Sequence, residues 1–257
     1  PNTPDDKYVE FGKQFPSVVQ LRATIKNPNK DADEKDKEKD FYQYGSAVII
    51  KPNWVLTAAH VVVDTREPVV LLSGRPAPIP LHHVIIHKGF LDDNKFGFDD
   101  IALAYASEDF GLPFYTPLYE ANDEEGQSAT IAGFGFSGTF ITGATDSDNK
   151  RRAGHNKIER VERGVLVCSP SKHNRFPLEF LIASGDSGGG LFIGNKLAGI
   201  NSFIMAVDKK PNGTYGDEGA HTRVSLYTGW IEQQIKQYEL WLGGRATMGL
   251  PEITPVP

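Results

Sequence analysis

The feature that most constrains the fold is a succession of short β-type runs separated by turn residues. The chain has 26 glycines and 17 prolines, and these residues, with Asn and Asp, interrupt the apolar runs throughout. Many short strands divided in this way are typical of β-sandwiches and β-barrels. Helical patterns do not alternate with the runs, which argues against a parallel α/β fold. The clearest strand-like runs cover residues 17–21, 47–50, 68–72, 84–86, 101–105, 129–132, 164–168 and 197–200.

One long helical pattern stands near the C-terminal end, over residues 225–241. Its apolar residues recur mostly three and four positions apart, which places them on one face of a helix. Gly243 and Gly244 are predicted to end this helix, and residues 244–257 are predicted to form a tail or linker. The stretch 30–40 alternates acidic and basic residues and is predicted to be a solvated surface loop. The apolar residues of the helical face are Leu226, Trp230, Ile231, Ile235, Tyr238 and Trp241.

Composition excludes several classes of function. A length of 257 residues allows one large domain or two small ones with a substantial core. The formal net charge of -6 argues against a general nucleic-acid binder, which normally carries a basic patch. No apolar run approaches the roughly 20 residues needed to span a bilayer. Cys168 is the single cysteine, so an intramolecular disulfide is excluded and a cysteine-based zinc site is disfavoured.

Three short motifs carry the chemistry, and they occur in a fixed order. They are Trp-Val-Leu-Thr-Ala-Ala-His over residues 54–60, Asp-Asp-Ile-Ala-Leu over 99–103 and Gly-Asp-Ser-Gly-Gly over 185–189. Each motif alone has an ordinary structural explanation: a core histidine, the start of a strand, a turn. Their joint occurrence in this order is hard to assign to chance.

These motifs resemble those of the trypsin/chymotrypsin family of serine peptidases, and the resemblance covers roughly residues 15–241. Weaker similarities include Gly-Phe-Gly at 133–135 and Gly-Ile-Asn-Ser-Phe at 199–203. The resemblance implies an all-β fold of two packed six-stranded antiparallel barrels with a C-terminal α-helix. The implied peptidase domain covers residues 8–243, with barrel one at about 15–112, barrel two at about 113–224 and the helix at 225–241.

The resemblance also implies a catalytic triad of His60, Asp100 and Ser187. A serine hydroxyl is a weak nucleophile at neutral pH and needs an adjacent base to take its proton, which is the expected role of His60. Asp100 would accept a hydrogen bond from the other ring nitrogen and fix the tautomer. The neighbouring Asp99 is expected to be solvated. Gly185 and Ser187 would supply the two backbone N–H donors of an oxyanion hole.

The residues that contact the substrate are expected to form a pocket in the second barrel. The family's main specificity position lies six residues before the serine and is occupied by Leu181, so no acidic group is present to select Arg or Lys. We therefore expect cleavage after an apolar or small side chain. An acidic preference through His221 is an alternative, although this residue could simply fill the pocket. The residues expected to bind the substrate are Leu181, Ser202, Phe203, Ile204, Gly219 and His221.

One departure from the family concerns activation. The usual activated amino terminus, Ile-Val-Gly-Gly, is missing, and Lys-Tyr-Val-Glu-Phe-Gly stands at residues 7–12. In the family the new amine pairs with the aspartate before the serine, which corresponds to Asp186. We therefore expect that Asp186 pairs with another group, or that the protein needs no such cleavage.

Two other functions fit parts of the sequence. The Gly-Asp-Ser-Gly-Gly motif also matches the nucleophile elbow of α/β-hydrolases such as esterases, but their triad runs Ser, acid, His, and the good acid and base candidates precede Ser187. A protease-like binding module without activity is the second alternative, although such relatives usually lose a triad residue.

We expect a monomer that acts on protein or peptide substrates without cofactor or metal, and without nucleic-acid or membrane partners. It is expected to be secreted or periplasmic, with a bacterial exported protein favoured.

Overall fold

A computed structural model describes residues 3–26, 40–93, 98–173 and 175–248. Most of the charged stretch 30–40, and the end of the predicted tail from residue 249, lie outside these residues. The helices are α1 (Asp5–Gly12), α2 (Ala59–Val62), α3 (Lys88–Asp93) and α4 (Thr228–Thr247), and a 3-10 turn spans Val224–Leu226. The strands are β1 (Val18–Ile25), β2 (Phe41–Lys51), β3 (Trp54–Thr57), β4 (Arg66–Leu71), β5 (Ile79–Pro80), β6 (His83–Ile86), β7 (Ala102–Tyr105), β8 (Ser128–Gly133), β9 (Ser137–Thr139), β10 (Gly143–Asp146), β11 (Arg152–Lys157), β12 (Arg160–Glu162), β13 (Val165–Cys168), β14 (Gly190–Ile193), β15 (Lys196–Ala206) and β16 (Asp217–Arg223).

The described residues form two seven-stranded antiparallel sheets and a small two-stranded one. The first sheet has the order β5-β4-β1-β2-β3-β7-β6, and the second has the order β11-β8-β14-β15-β16-β13-β12. The all-β prediction is confirmed, but each large sheet has seven strands where six were expected. The difference comes from short strands such as β5 and β12, whose two or three residues carry little apolar pattern to reveal them.

Valine, isoleucine and leucine side chains from both large sheets supply the buried core. One cluster joins residues of the first sheet, such as Leu21 and Ile49, to Ile200 of the second sheet and Ile231 of α4. A second cluster, around Ile131 and Leu191, lies within the second sheet. Because strands of β-branched and aromatic residues pack well on pleated surfaces, these runs form sheets. The first sheet, part of the second sheet and α4 thus share one buried core.

Helix α4 packs part of its predicted apolar face against the first sheet, but Leu226 lies in the 3-10 turn before the helix and is exposed, and Trp241 is also exposed. Ile231, Ile235 and Tyr238 are buried, and the Tyr238 ring meets the Trp54 ring edge-on at 5.6 Å between centroids. The prediction that Gly243 and Gly244 end the helix is wrong, since α4 begins at Thr228 and continues to Thr247. A glycine inside a helix costs only about 1 kcal/mol, so packing contacts can carry the helix past it. Arg245 lies 5.1 Å from the Trp241 ring, one helical turn away, and contributes such a contact.

Helix α1, for which the sequence showed no pattern, is held against the second sheet by charge. The guanidinium of Arg152 donates to both carboxylate oxygens of Asp5, at 2.7 Å each, and also to Asp148. Two fork-to-fork pairs of this kind are the strongest common geometry for an arginine. In the described part of the chain, no helix is both long and apolar enough to cross a membrane.

Candidate active site

Antiparallel pairing brings His60 and Asp100 together. Strand β3 pairs with β7 so that Thr57 lies opposite Ala102. His60 follows the end of β3 and Asp100 precedes the start of β7, so both residues lie just beyond the same end of these two paired strands. Residues 40 positions apart in sequence therefore become neighbours.

Asp100 holds His60 at two points. The His60 backbone N–H donates to Asp100 Oδ1 at 2.9 Å, and His60 Nδ1 lies 2.7 Å from Asp100 Oδ2. The Asp100 side chain is 2% exposed and that of His60 is 20% exposed, so the ring reaches solvent while the carboxylate does not. This arrangement leaves the imidazole Nε2 as the ring atom able to act on a reactant.

Hydrogen bonds determine the ionic form of the Asp100 carboxyl group. Burial acts to raise the pKa of Asp100, but the hydrogen bonds from His60 and Ser202 outweigh it and lower the pKa below the ordinary value of 3.8. Asp100 is therefore a carboxylate at neutral pH. A buried carboxylate beside Nδ1 requires the ring proton to be on Nδ1.

Asp99 is separate from this pair, as expected, but it is not simply solvated. Its Oδ1 accepts a hydrogen bond from Tyr227 at 2.7 Å. Burial, together with that hydrogen bond, raises the pKa of Tyr227. Asp99 thus serves a structural contact between the first sheet and the turn that precedes α4.

Ser187 lies in the loop between Ala183 and strand β14, and first-sheet residues hold this loop. The Ser46 N–H donates to Ser187 O at 2.8 Å, and Ser46 Oγ donates to Gly185 O at 2.9 Å. Gly188 has φ +86°, and a Cβ on it would lie 2.0 Å from Ser46 O. Only glycine tolerates both that conformation and that close approach. The glycine after the serine therefore allows the two sheets to meet at this loop.

Ser202 links Ser187 to the histidine–aspartate pair. Ser187 Oγ donates to the Ser202 carbonyl at 3.2 Å, and Ser202 Oγ donates to Asp100 Oδ2 in a short hydrogen bond. The structure therefore brings His60, Asp100, Ser187 and Ser202 into one hydrogen-bonded set. Ser202 was expected to contact substrate, and this stays a prediction; its hydroxyl also donates to Asp100, a role that the sequence alone did not suggest.

The peptide groups around Gly185 and Ser187 are also held in place. The Phe136 N–H donates to Ser184 O at 2.8 Å, and the Gly189 N–H donates to Asp186 O at 2.9 Å. No described peptide bond is cis. Because a trans peptide points its C=O and N–H in opposite directions, these bonds fix the directions of the Gly185 and Ser187 N–H groups.

Asp186 is buried without a cationic partner within 4 Å among the described residues. Its carboxylate accepts from the Gly135 N–H at 2.7 Å and from the Ala183 N–H at 2.8 Å. The glycines of the Gly-Phe-Gly motif leave space for it, since a Cβ on Gly135 would lie 2.4 Å from the Asp186 carboxyl carbon. Burial raises the pKa of Asp186 to about 7, against the lowering effect of the two N–H groups.

We expect Asp186→Asn to change how stability depends on pH. Between the ordinary value of 3.8 and about 7, the folded protein keeps a proton that the unfolded chain loses, so rising pH removes stability through this window. An asparagine cannot ionise. The free energy of unfolding of the variant relative to the unsubstituted protein should therefore rise by up to about 4 kcal/mol from pH 4 to pH 8.

Urea unfolding at the two pH values, in a Ser187→Ala background to prevent self-cleavage, measures this difference. Asp146→Asn, at an exposed position, is the matched control and should show no such change. A pH-independent difference for Asp186→Asn would contradict the raised pKa.

The predicted substrate-binding residues surround the first half of β16. Ile204 lies opposite Gly219 and Phe203 opposite Ala220 in the ladder between β15 and β16. Leu181 is 7% exposed, and its Cδ1 lies 3.1 Å from the position of a Cβ on Gly219. Leu181, Ile204 and Gly219 therefore lie together. The partly buried Phe203 packs against Ala220 and its neighbours in the second sheet.

His221 lies deeper than these residues. It is fully buried, and its Nδ1 lies 2.8 Å from Asn201 Oδ1, while Nε2 has no hydrogen-bond partner within the described residues. Burial lowers the pKa of His221 to about 3, so the ring is neutral at working pH. Its partner Asn201 was not among the predicted site residues. The polar residue directly after the apolar run 197–200 is the only sequence signal that could have indicated it.

No group of three or more His, Cys, Asp or Glu side chains in the described ranges is arranged to hold a metal ion. Cys168 is buried, and burial raises the pKa of its thiol, so it is an inert core residue.

The chain is similar to known serine proteases. The chain is 26% identical over 219 residues to "Serine protease SSP1" of Scolopendra subspinipes, covering 75% of this chain and 73% of that protein. It is 28% identical over 247 residues to "CLIP domain-containing serine protease HP8" of Bombyx mori, covering 79% of this chain and 64% of that protein. The chain thus spans less than two thirds of the Bombyx relative. Neither relative is bacterial, so the expectation of a bacterial protein is not supported.

A solved structure supports the fold. The structure of "Neuropsin, a serine protease expressed in the limbic system of mouse brain" aligns with a TM-score of 0.65 at 21% identity, covering 86% of this chain and 95% of that one. The Trypsin family model matches residues 33–231, which is most of the chain. The chain therefore belongs to the trypsin family of serine endopeptidases, which are hydrolases acting on peptide bonds.

Proposed function

We propose that this chain cleaves protein or peptide substrates with a triad of Ser187, His60 and Asp100. One observation carries the proposal: Ser202 joins Ser187 to the histidine–aspartate pair, because its carbonyl accepts from Ser187 Oγ and its hydroxyl donates to Asp100, which bonds to His60 Nδ1. The required residue types stand in that set with the aspartate ionised and the histidine ring partly exposed.

The proposed reaction is acyl transfer. Ser187 Oγ forms a bond to the scissile carbonyl carbon while its proton moves to His60 Nε2. The N–H groups of Gly185 and Ser187 bind the resulting oxyanion. The C–N bond then breaks, and His60 returns the proton to the leaving amine. Water, deprotonated by His60, hydrolyses the acyl-enzyme and restores Ser187.

A fluorophosphonate probe tests the proposal directly. A competent triad makes Ser187 react with the probe under native conditions, and peptide mapping locates the modified residue. Absence of labelling at Ser187, in protein shown to be folded by circular dichroism, would favour the alternative of a protease-like binding module.

We propose further that the residue preceding the cut bond is apolar or small. Leu181 and Ile204 supply apolar surface beside Gly219, and the neutral His221 lies behind them. A lysine or arginine side chain would have to leave water beside Leu181, Ile204 and Gly219, none of which carries a charge, and this costs several kcal/mol. We expect a peptide library to show cleavage after Ala, Val or Leu at least about 100-fold faster than after Lys or Arg.

Leu181→Asp and Leu181→Asn form a matched pair for this prediction. The two side chains have nearly the same size, and only the aspartate supplies a charge. Cleavage after Lys and Arg should rise with Leu181→Asp and stay low with Leu181→Asn. Dominant cleavage after Lys or Arg by the unsubstituted protein would refute the apolar preference.

Secretion is also proposed. It is consistent with membership of this family and with the expectation from the sequence.

A further inference from the structure

The buried side chain of Asn201 connects the loop carrying Ser187 to His221. Asn201 Nδ2 donates to Ala132 O at 3.0 Å and to Asp186 O at 3.2 Å. Both partners are carbonyls and can only accept, so this side of the amide must be the NH₂ group. The opposite atom is therefore the amide oxygen, and it faces His221 Nδ1 at 2.8 Å.

This orientation fixes the tautomer of His221. An amide oxygen only accepts hydrogen bonds, so the ring proton must be on Nδ1. A ring that is neutral over the working pH range carries one proton, and the bond to Asn201 keeps it there. The ring in turn prevents the Asn201 amide from rotating, since a flipped amide would point its NH₂ group at the N–H of His221.

The backbone of Asn201 is held to the same loop. Its N–H donates to Gly189 O at 2.8 Å, and its carbonyl accepts from the Gly188 N–H at 2.8 Å. The ladder between β15 and β16 shifts register between Asn201 and Phe203, which leaves Ser202 without a partner residue. This irregularity allows Asn201 to form hydrogen bonds with the Ser187 loop while the adjacent Ser202 donates to Asp100.

The carbonyl that Asn201 binds belongs to a peptide group with a proposed catalytic role. Asp186 C=O and Ser187 N–H are the two ends of one planar trans peptide and point in opposite directions. A donor that holds the carbonyl therefore limits rotation of the N–H that the proposed oxyanion hole uses. Gly189 N–H supplies one such donor and Asn201 Nδ2 supplies a second.

We infer that Asn201, oriented by His221, is a positioning residue that aims the Ser187 N–H at the oxyanion of the transition state. The inference deepens the proposed function and rests on it. His221 accordingly acts behind the substrate pocket, through Asn201, and selects no substrate side chain itself.

Asn201→Ala tests the inference on the full chain. The substitution removes one of the two N–H donors to the Asp186 carbonyl. We therefore expect kcat to fall roughly 10- to 100-fold, which is no more than the effect of losing a whole oxyanion-hole donor, while KM changes little. Affinity for a peptide aldehyde, whose adduct places an oxyanion in the hole, should fall by a similar factor. Asn53→Ala is the matched control, because Asn53 Nδ2 also donates to a backbone carbonyl, that of Ala106, in the first sheet. This control should leave kcat and aldehyde affinity unchanged.

His221→Leu and His221→Asn test the second part, and they decide the matter if Asn201→Ala does not fold. Leucine removes the donor to Asn201, whereas the asparagine NH₂ can stand where Nδ1–H stands. We expect kcat to fall about tenfold or more with leucine and to stay within about threefold with asparagine. Equal kcat in both His221 variants would overturn the inference.

Unchanged kcat and aldehyde affinity in folded Asn201→Ala would also overturn it. Failure of the proposed function itself gives a different result, since the unsubstituted protein would then neither cleave peptides nor bind the aldehyde.

Discussion

Ser187→Ala is expected to lower kcat by about 10⁶-fold, because no other group can supply the attacking oxygen. The fold should survive, since the substitution removes one hydrogen bond, from Ser187 Oγ to Ser202 O. A bond of this kind contributes about 1 kcal/mol to stability. Progress curves with a peptide substrate at high enzyme concentration, together with thermal unfolding, measure both effects.

Ser128→Ala provides the control for this substitution. Ser128 is exposed at the start of β8, so its variant should keep full activity. Retention of more than about one per cent of activity by Ser187→Ala would contradict the nucleophile assignment, because the expected loss is about 10⁶-fold. A large loss of thermal stability would show that the serine is needed for folding.

Asp100→Asn is expected to lower kcat by about 10⁴-fold. Asp100 accepts at one oxygen from the His60 backbone N–H and at the other from His60 Nδ1 and Ser202 Oγ. An asparagine has one oxygen, so keeping the bond to the backbone turns its NH₂ group toward Nδ1. Nδ1 must then accept, the ring proton moves to Nε2, and Nε2 can no longer take the proton of Ser187.

Asp99→Asn makes the same chemical change one residue earlier. The asparagine oxygen can still accept the bond from Tyr227, so activity should stay near that of the unsubstituted protein. Single-turnover rates of both variants, measured at saturating substrate, separate the two aspartates. Similar losses in the two variants would contradict the assignment of Asp100 as the partner of His60.

Several features could be read from the sequence because they depend on local patterns. Short apolar runs between glycines and prolines indicated an all-β chain, and residues at three- and four-residue spacing indicated a C-terminal helix. The end of that helix at Thr247 could not be predicted, because contacts of its last turns outweigh the cost of Gly243 and Gly244. Helix α1 was missed for a similar reason, since the Asp5–Arg152 ion pair that anchors it joins residues 147 positions apart.

The sequence by itself indicated the family and the candidate histidine, aspartate and serine, because the proposed reaction requires these residue types and the order of the three motifs is typical of the family. Only the tertiary structure decided what supports them: the Ser202 hydroxyl on Asp100, two backbone N–H groups in place of a cation at Asp186, and the Asn201–His221 pair. These contacts join different strands and loops of the chain. Hydrogen bonds depend on distance and direction in space, and neither is encoded in the spacing of residues along one segment.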